Sequence, residues 1–522
     1  MTSIAISDDR WKRLPWKKFQ KNLFRLQKRI YKAQKVGNYK LVRMLQKLVL
    51  KSKAAKLLAI RQITQLNTGK CTAGIDGFKN LHCHQRLTLA TQLNINHWHH
   101  AKLRRVWIPK SNGEQRPLGI PTIRDRVYQC LVKYALEPAC EAYFNANSYG
   151  FRPARSTHDV QKMLFINLNS NAKGLSKRIL ELDIEKCFDR IDHQYLMSQI
   201  SLPKAAKLGI YRAIKAGVLN ERQVTERGSP QGGVISPLLA NIALHGLENV
   251  GYKLRHKVVN GQGWINALTG IRYADDCVFI LERLDDADAL RIAIDKFLKI
   301  RGLNVKEAKT KLVQSTEGFN FLGWKFIVRP DGRFLCTPSD KNYKTVKRKI
   351  KSSLKDTNYT LEQRMKKVSS IIRGWRNYHQ YCDMSQHALW HTSHWAWKFI
   401  RKQGRFNRRQ SNTILKKVSP TVSWAAAKFV KVKGDKSPYD GDLLYWSKRN
   451  SALYDGATAK TLAKQQYKCP HCNLSFLPDD PIELHHIDGN HNNWKSSNLV
   501  ALHRYCHQHQ IIHSLKRDKS GR

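Results

Sequence analysis

Residues 271–280 read Ile-Arg-Tyr-Ala-Asp-Asp-Cys-Val-Phe-Ile. Two adjacent carboxylates interrupt a run that otherwise favours a strand, and aspartate is both a poor strand former and costly to bury. The run reads as a hairpin with Asp275 and Asp276 in its tight turn. A second acidic run, Ile179-Leu-Glu-Leu-Asp-Ile-Glu185, puts Leu180, Leu182 and Ile184 on one face of a strand and Glu181, Asp183 and Glu185 on the other. Side by side, these elements would bring Asp183, Asp275 and Asp276 together. Converging carboxylates repel one another unless divalent cations relieve the charge, and oxygen-rich sites suit Mg²⁺. Two such ions activate a 3′-hydroxyl and stabilise a pyrophosphate leaving group in an in-line displacement. The chemistry expected here is phosphoryl transfer.

A second group of chemistry-bearing residues lies near the C-terminus. Cys469-Pro-His-Cys472 has metal-ligand spacing, and Cys506-His-Gln-His509 can close it. Tetrahedral Zn²⁺ is the expected occupant, held by Cys469, Cys472, Cys506 and His509, with His507 an alternative for the fourth place. Between the two pairs lie Glu483-Leu-His-His-Ile-Asp-Gly-Asn490 and Asn498-Leu-Val-Ala-Leu-His503. The other eight cysteines have no pairing rhythm and read as reduced.

The elements that must position these residues follow from periodicity. From about Ala73 to Cys336, short apolar strands (Val106–Ile108, Ile179–Ile184, Val278–Leu281, Phe319–Phe326) alternate with helical segments such as Asp285–Arg301. Between Asp9 and Asp76 there is no acidic residue, and Leu23, Leu26 and Ile30, then Leu41, Met44, Leu45 and Leu48, recur at helical spacing. These predict basic amphipathic helices with one face on a core and the other turned to phosphates. From Asp340 to about Arg409 the pattern is helical, very basic and interleaved with tryptophans, and the turn-rich Lys433–Gly441 separates it from the tail.

Ninety-three Lys and Arg against 39 Asp and Glu give a net charge of +54 over 522 residues. Self-repulsion on that scale calls for a polyanion, and nucleic acid is the partner it implies. No uninterrupted apolar stretch of spanning length argues for a membrane partner. The N-terminal residues lack the apolar core of a secretory signal. The expected location is intracellular, in a bacterial cytoplasm near the nucleoid or in an organelle.

Further blocks extend the polymerase reading. The sequence resembles the group II intron reverse transcriptases of the maturase type, in family order through nearly the whole chain. Ala73-Gly-Ile-Asp-Gly77 is similar to the N-terminal extension, and Trp107-Ile-Pro-Lys-Ser-Asn-Gly-Glu-Gln-Arg-Pro-Leu-Gly-Ile-Pro121 to the fingers strands. The resemblance implies that Lys110 and Arg116 contact the incoming triphosphate. Ser148-Tyr-Gly-Phe-Arg-Pro-Ala-Arg-Ser156 matches the next block and receives no chemistry. Asp183 matches the first metal-binding aspartate, and Phe188 the bulky residue that excludes a ribose 2′-hydroxyl. In Gly228-Ser-Pro-Gln-Gly-Gly-Val-Ile-Ser-Pro-Leu-Leu-Ala-Asn241, the longest match, Gln231 resembles the residue beside the incoming nucleotide. Asp275 and Asp276 match the remaining carboxylates, and Lys309 the lysine near the leaving pyrophosphate. Phe321-Leu-Gly-Trp324 resembles the primer-grip hairpin, and Ile371-Ile-Arg-Gly-Trp-Arg-Asn-Tyr378 the thumb.

The tail resembles an HNH (ββα-metal) endonuclease. That likeness implies that His486 is the general base, that His485 and His507 bind a catalytic divalent ion, and that Asn498 pins the connecting loop. The expected fold is multidomain α+β: a basic helical extension (1–75), right-hand fingers and palm with an antiparallel sheet (76–336), a helical thumb or maturase domain (337–410), a DNA-binding region and linker (411–460), and an HNH zinc domain (461–522). The expected function is RNA-directed DNA synthesis, help in splicing group II intron RNA, and nicking of target double-stranded DNA to prime copying from dNTPs. Two rivals are a splicing factor with a vestigial polymerase, against which all three aspartates count, and a reverse transcriptase recruited to host defence.

Overall fold

The computed structural model describes residues 10–507 apart from 110–112, 220–227, 229–231, 255, 260–261, 266–267, 385–396, 399, 403–406, 419–428, 452–453, 455, 477–479, 481 and 505. Three helices, Trp16–Lys35, Tyr39–Lys51 and Lys53–Arg61, open the chain. Asn38 and Ser52 start the second and third by accepting the Leu41 and Ala55 amides. The first two helices pack on the long, almost wholly buried helix Ile123–Glu141. The second helix buries Val42, Leu45 and Val49, an i, i+3, i+7 stripe, and leaves Met44 and Leu48 about half exposed. The apolar face is therefore rotated from the one expected around Met44 and Leu48, because two neighbouring helices, not one, set which side is covered.

Strands β1 (Arg104–Pro109) and β2 (Gln115–Ile120) form a hairpin with Ile108 opposite Arg116. The central sheet combines β3 (Arg178–Leu182), β6 (Thr269–Tyr273), β7 (Asp276–Leu281) and β8 (Lys311–Gln314) in the order β6-β7-β3-β8, every pair antiparallel. A small hairpin, β4 (His256–Val259) with β5 (Gln262–Ile265), precedes β6. Strand alternation divides the apolar residues between two cores. Leu180, Leu182, Phe279 and Leu281 face one, with the Ile123–Glu141 helix; Ile179, Val278 and Ile280 face the other, with Tyr149 and Trp324. Burial on both faces explains why β3 and β7 read as nearly continuous apolar runs.

Strands β9 (Phe319–Phe321), β10 (Trp324–Val328) and β11 (Phe334–Pro338) form a second antiparallel sheet. The β9–β10 turn has positive φ at Leu322 and Gly323 (50° and 81°), as a two-residue hairpin favours. Helices Asp340–Lys355, Leu361–Tyr378 and Arg408–Val418 follow, around a core of Val346, Ile350, Val368, Ile372 and Trp375. The end of the middle helix pins the β9–β10 turn: Tyr378 stacks on Trp324 with ring centroids 4.7 Å apart, and its hydroxyl donates to the Leu322 carbonyl at 2.7 Å.

The segment expected to be a turn-rich linker is docked. Trp446, on helix Leu443–Ser451, is fully buried, Tyr439 donates to Glu137 at 2.8 Å, and Arg449 reaches Asp159 at 2.9 Å with both side chains buried. Its Gly, Pro and Lys content fits the turns at 434–435 and 438–440, but Tyr439 and Arg449 tie the segment to the polymerase core, and Trp446 closes on it by donating to the Ser437 carbonyl. The tail consists of helix Gly456–Lys464 and the hairpin β12 (Ile482–His486) with β13 (Leu499–His503). Among the described residues no helix is long and apolar enough to cross a membrane.

Candidate active site and metal centre

Asp183 immediately follows β3, and Asp276 opens β7. Because Leu182 pairs with Cys277, the next step of that register sets Asp183 across from Asp276. The tight turn itself is Ala274-Asp275, since Tyr273 pairs with Asp276. Asp275 thus occupies the turn as expected, whereas Asp276 is the first strand residue. Ala274 takes φ 60°, a left-handed conformation that costs an L-residue about 1 kcal/mol or more. The three carboxylates are brought together.

Their electrostatics suit a cation site. Burial first, then the Asp275 and Asp183 charges, push the Asp276 carboxyl up to about 6. Asp275 is raised chiefly by burial, with Asp183 adding to it and Arg116 and Arg272 opposing. Lys309 Nζ lies 2.7 Å from Asp183 Oδ2, and that hydrogen bond raises the ammonium pKa. An all-oxygen donor set that resists ionising together fits hard divalent ions such as Mg²⁺. Phe188 lies on the short helix Cys187–Arg190, mostly buried, with its ring edge-on to Phe151 at 6.3 Å. Lys110 and Gln231 fall outside the described residues. The next residue, Gly232, has φ 116°, and a Cβ there would sit 2.8 Å from the Gly119 carbonyl oxygen, so only glycine fits at this position against β2.

One buried cation seats the turn. Arg272, on β6, is fully buried. Its Nε donates to Glu248 Oε1 at 2.6 Å, Nη1 to Asn241 Oδ1 and to the Ala274 carbonyl, each at 2.9 Å, and Nη2 to Ser148 Oγ at 2.7 Å. Burial alone would raise the Glu248 carboxyl, yet Arg272 overrides it and holds it below the ordinary carboxylate value. The block around Ser148, to which no chemistry was assigned, touches the turn directly: a Cβ on Gly150 would lie 2.2 Å from the Ala274 nitrogen. Asn241 donates to the Gly150 carbonyl at 2.8 Å. Two sequence blocks therefore meet under the Ala274-Asp275 turn through one guanidinium.

In the tail, Cys469, Cys472, His503 and Cys506 place four ligand atoms within 4.8 Å of one another. Cys469, His503 and Cys506 are buried. Three sulfurs and one nitrogen fit tetrahedral zinc. The histidine that comes within reach of the three thiols is His503, whereas His507 is not in that group and His509 lies outside the described residues. His503 ends β13 three residues before Cys506 and faces the knuckle across the hairpin, which linear spacing from Cys506 onward could not reveal. Burial disfavours the charged His503 ring, but Asp480, 3.2 Å from Nε2, and the neighbouring thiols push it up to about 10. That carboxylate is placed to orient a metal-bound imidazole.

His485 and His507 face each other, Nδ1 to Nε2 at 3.1 Å, and His507 Nδ1 lies 2.8 Å from Glu483. Burial, then His507, His486 and His491, lower the His485 pKa, favouring the neutral ring that binds metal. His486, next along β12, is 6 % exposed, and neither ring nitrogen has a hydrogen-bond partner among the described residues. It sits against His491 and Trp494, with centroids at 5.0 and 5.2 Å. Asn498 ties the intervening loop: its Nδ2 donates to Asp488 Oδ1 at 2.8 Å and to the Asn493 carbonyl at 2.9 Å, while its Oδ1 accepts from the Asp488 amide at 3.0 Å. Glu483 is the residue here that the sequence did not single out.

Comparison with known proteins matches this geometry to a class. Residues 108–326 match the family model for reverse transcriptase (RNA-dependent DNA polymerase), and residues 11–93 that for the N-terminal domain of reverse transcriptase. A fingers hairpin, an antiparallel sheet and three converging carboxylates within that span define a polymerase of the reverse transcriptase type. Residues 343–419 match the group II intron maturase-specific domain. Maturase-like protein 1 of Euglena gracilis is 33% identical over 378 residues, covering 71% of this chain and 77% of that protein. The group II intron-encoded protein LtrA of Lactococcus lactis subsp. cremoris is 38% identical over 202 residues, covering 37% of this chain and 32% of LtrA. The apo telomerase structure from Candida tropicalis aligns at 14% identity and TM-score 0.36, covering 62% of each chain, which is too loose to bear on function. The chain belongs to the group II intron reverse transcriptase/maturase family. It is an RNA-directed DNA polymerase with a maturase role in group II intron splicing.

Proposed function

We propose that this chain couples three activities in intron mobility: it assists splicing of its intron RNA, nicks one strand of a target DNA duplex, and extends the resulting 3′-hydroxyl by copying the RNA from dNTPs. In this reading Asp183, Asp275 and Asp276 hold two Mg²⁺ ions, which when bound activate the 3′-hydroxyl and stabilise the leaving pyrophosphate. Lys309 assists at the pyrophosphate, Lys110 and Arg116 hold the triphosphate, Gln231 lies beside the nucleotide, and Phe188 screens the sugar. The observation that carries the polymerase part is Asp183 set opposite Asp276, with Asp275 in the adjoining turn and Lys309 on Asp183.

For the tail, the proposal is an HNH nuclease built on a Cys₃His zinc core of Cys469, Cys472, His503 and Cys506. His485 and His507 bind the nuclease's divalent ion, Glu483 orients His507, Asn498 fixes the loop, and His486 takes the proton from water. A neutral imidazole near pH 7 can do so. The supporting observation is His486 without a hydrogen-bond partner among the described residues, beside a facing His485–His507 pair.

Two results test the tail. His486→Ala should abolish nicking of a supercoiled target plasmid while leaving extension of a supplied primer on RNA unchanged; undiminished nicking would reduce the tail to a structural zinc module. Metal analysis of the full chain should find one tightly held zinc. Cys469→Ser should lose it and make the tail protease-sensitive, since such ions contribute folding energy outright. Full zinc retention in that variant would remove Cys469 from the ligand set.

A further inference from the structure

A cavity of about 390 Å³ lies between the N-terminal helices and the tail, and Arg61, Thr64, Gln65, Asn80, Arg86 and Arg504 line it. Among the described residues no acidic side chain lines it. Two arginines of the N-terminal region and one of the tail border one space. The geometry points to a phosphate-binding site for a nucleic-acid backbone at this junction, with one phosphodiester seated among Arg61, Arg86 and Arg504. This rests on the nucleic-acid function proposed above and adds a specific point of contact to it.

Several features show a built site. Arg61 lies over the Trp16 indole at 4.6 Å and Arg86 over Trp11 at 5.6 Å, and the two indoles meet edge to face at 4.9 Å. A guanidinium held by its flat face keeps an in-plane fork of donors suited to phosphate oxygens. The backbone at Gln62–Leu66 winds as a π-helix, a departure often found at functional sites. The opposite wall is tied in place. Lys17 of the first helix reaches Asp480 at 3.2 Å, and Asp480 in turn holds His503, whose neighbour in the chain is Arg504.

The site also adjoins the proposed nuclease centre. Arg504 Nε donates to Glu483 Oε1 at 2.6 Å, and the other Glu483 oxygen meets His507, which faces His485. A strand anchored at the cavity would pass beside those histidines while touching the reverse transcriptase's N-terminal extension.

The test is the salt dependence of binding by the full chain, measured on a labelled DNA duplex and, separately, on a labelled structured RNA. Each phosphate contact contributes roughly 0.9 to the slope of log affinity against log salt on duplex DNA and roughly 0.7 on single strands. Arg61→Gln with Arg504→Gln removes the hold on that one phosphate and should lower the slope magnitude by about 1 on the nucleic acid that occupies the site. A charge-matched control, Lys296→Gln with Lys299→Gln on helix Ala287–Lys299, should leave it nearly unchanged. Loss on the duplex assigns the phosphate to DNA, and loss on RNA alone assigns it to RNA. Unchanged slopes on both, or equal shifts in test and control, would overturn the site. Arg504→Gln alone, at a side chain 49% exposed, should fold normally and lower the slope in the same direction, by no more than about 1. A wild-type chain that binds neither probe would sink the nucleic-acid reading itself.

Discussion

Asp275→Ala is expected to lower RNA-templated primer extension on the order of 10³-fold or more, because it removes a ligand from the ions that carry charge in the transition state. RNA affinity should stay within about twofold, since one acidic side chain contributes little to phosphate contacts. Normal extension by this variant would refute the metal-site argument.

The same variant has a thermodynamic signature that separates catalysis from folding. With no metal bound, the Asp276 carboxyl sits near 6 against an ordinary 3.8, and Asp275 is one named cause. The folded state therefore holds a proton more tightly than the unfolded state between those values, so this group's contribution to stability is lost as pH rises through that window. Mg²⁺ should restore it near pH 7 and do little near pH 4. Asp275→Ala relieves part of the repulsion, so in EDTA at pH 7 it should melt no earlier than wild type and gain less from added Mg²⁺. Thermal melts at the two pH values, with and without Mg²⁺, check both signs.

How much of this was legible in the sequence depends on how far each residue's partners lie along the chain. Asp183, Asp275 and Asp276 were readable because strand alternation and a hairpin turn are local patterns, and pairing two strands suffices to unite them. His503 was not, because its partners Cys469 and Cys472 face it from across a hairpin, and the nearer Cys506-x-x-His509 spacing offered a simpler closure. The stretch 433–441 read as a separator from its turn residues; its packing on the core rests on Tyr439 donating to Glu137 and Arg449 pairing with Asp159, partners roughly 300 positions away that no local pattern names. Arg272 stood in plain view beside the aspartates, but its partners are 24, 31 and 124 residues away. A cation flanked by Ile271 and Tyr273 in a strand was the available signal, and it named no partner.

That guanidinium yields the second large expected effect. Arg272→Met leaves Glu248 charged and buried with its partner removed, a loss worth about 3–5 kcal/mol, so the single variant should be poorly folded. Replacing the pair, Arg272→Met with Glu248→Leu, removes both charges and should recover most of the stability, as apolar substitutes for a buried ion pair commonly do. Activity should not return with it. The double variant still lacks the donor to the Ala274 carbonyl and the links to Asn241 and Ser148, so a turn already strained at Ala274 loses its anchor. Displacement of a reacting group by about 1 Å costs on the order of 10²-fold, and the deficit should fall on kcat more than on the KM for dNTPs. Arg272→Lys is the intermediate case, keeping the charge for Glu248 but not the fork that spans three partners; it should fold and polymerise slowly. If the double variant instead extended primers at the wild-type rate, Arg272 would serve only to neutralise Glu248, and the strained turn would hold its aspartates by backbone pairing alone.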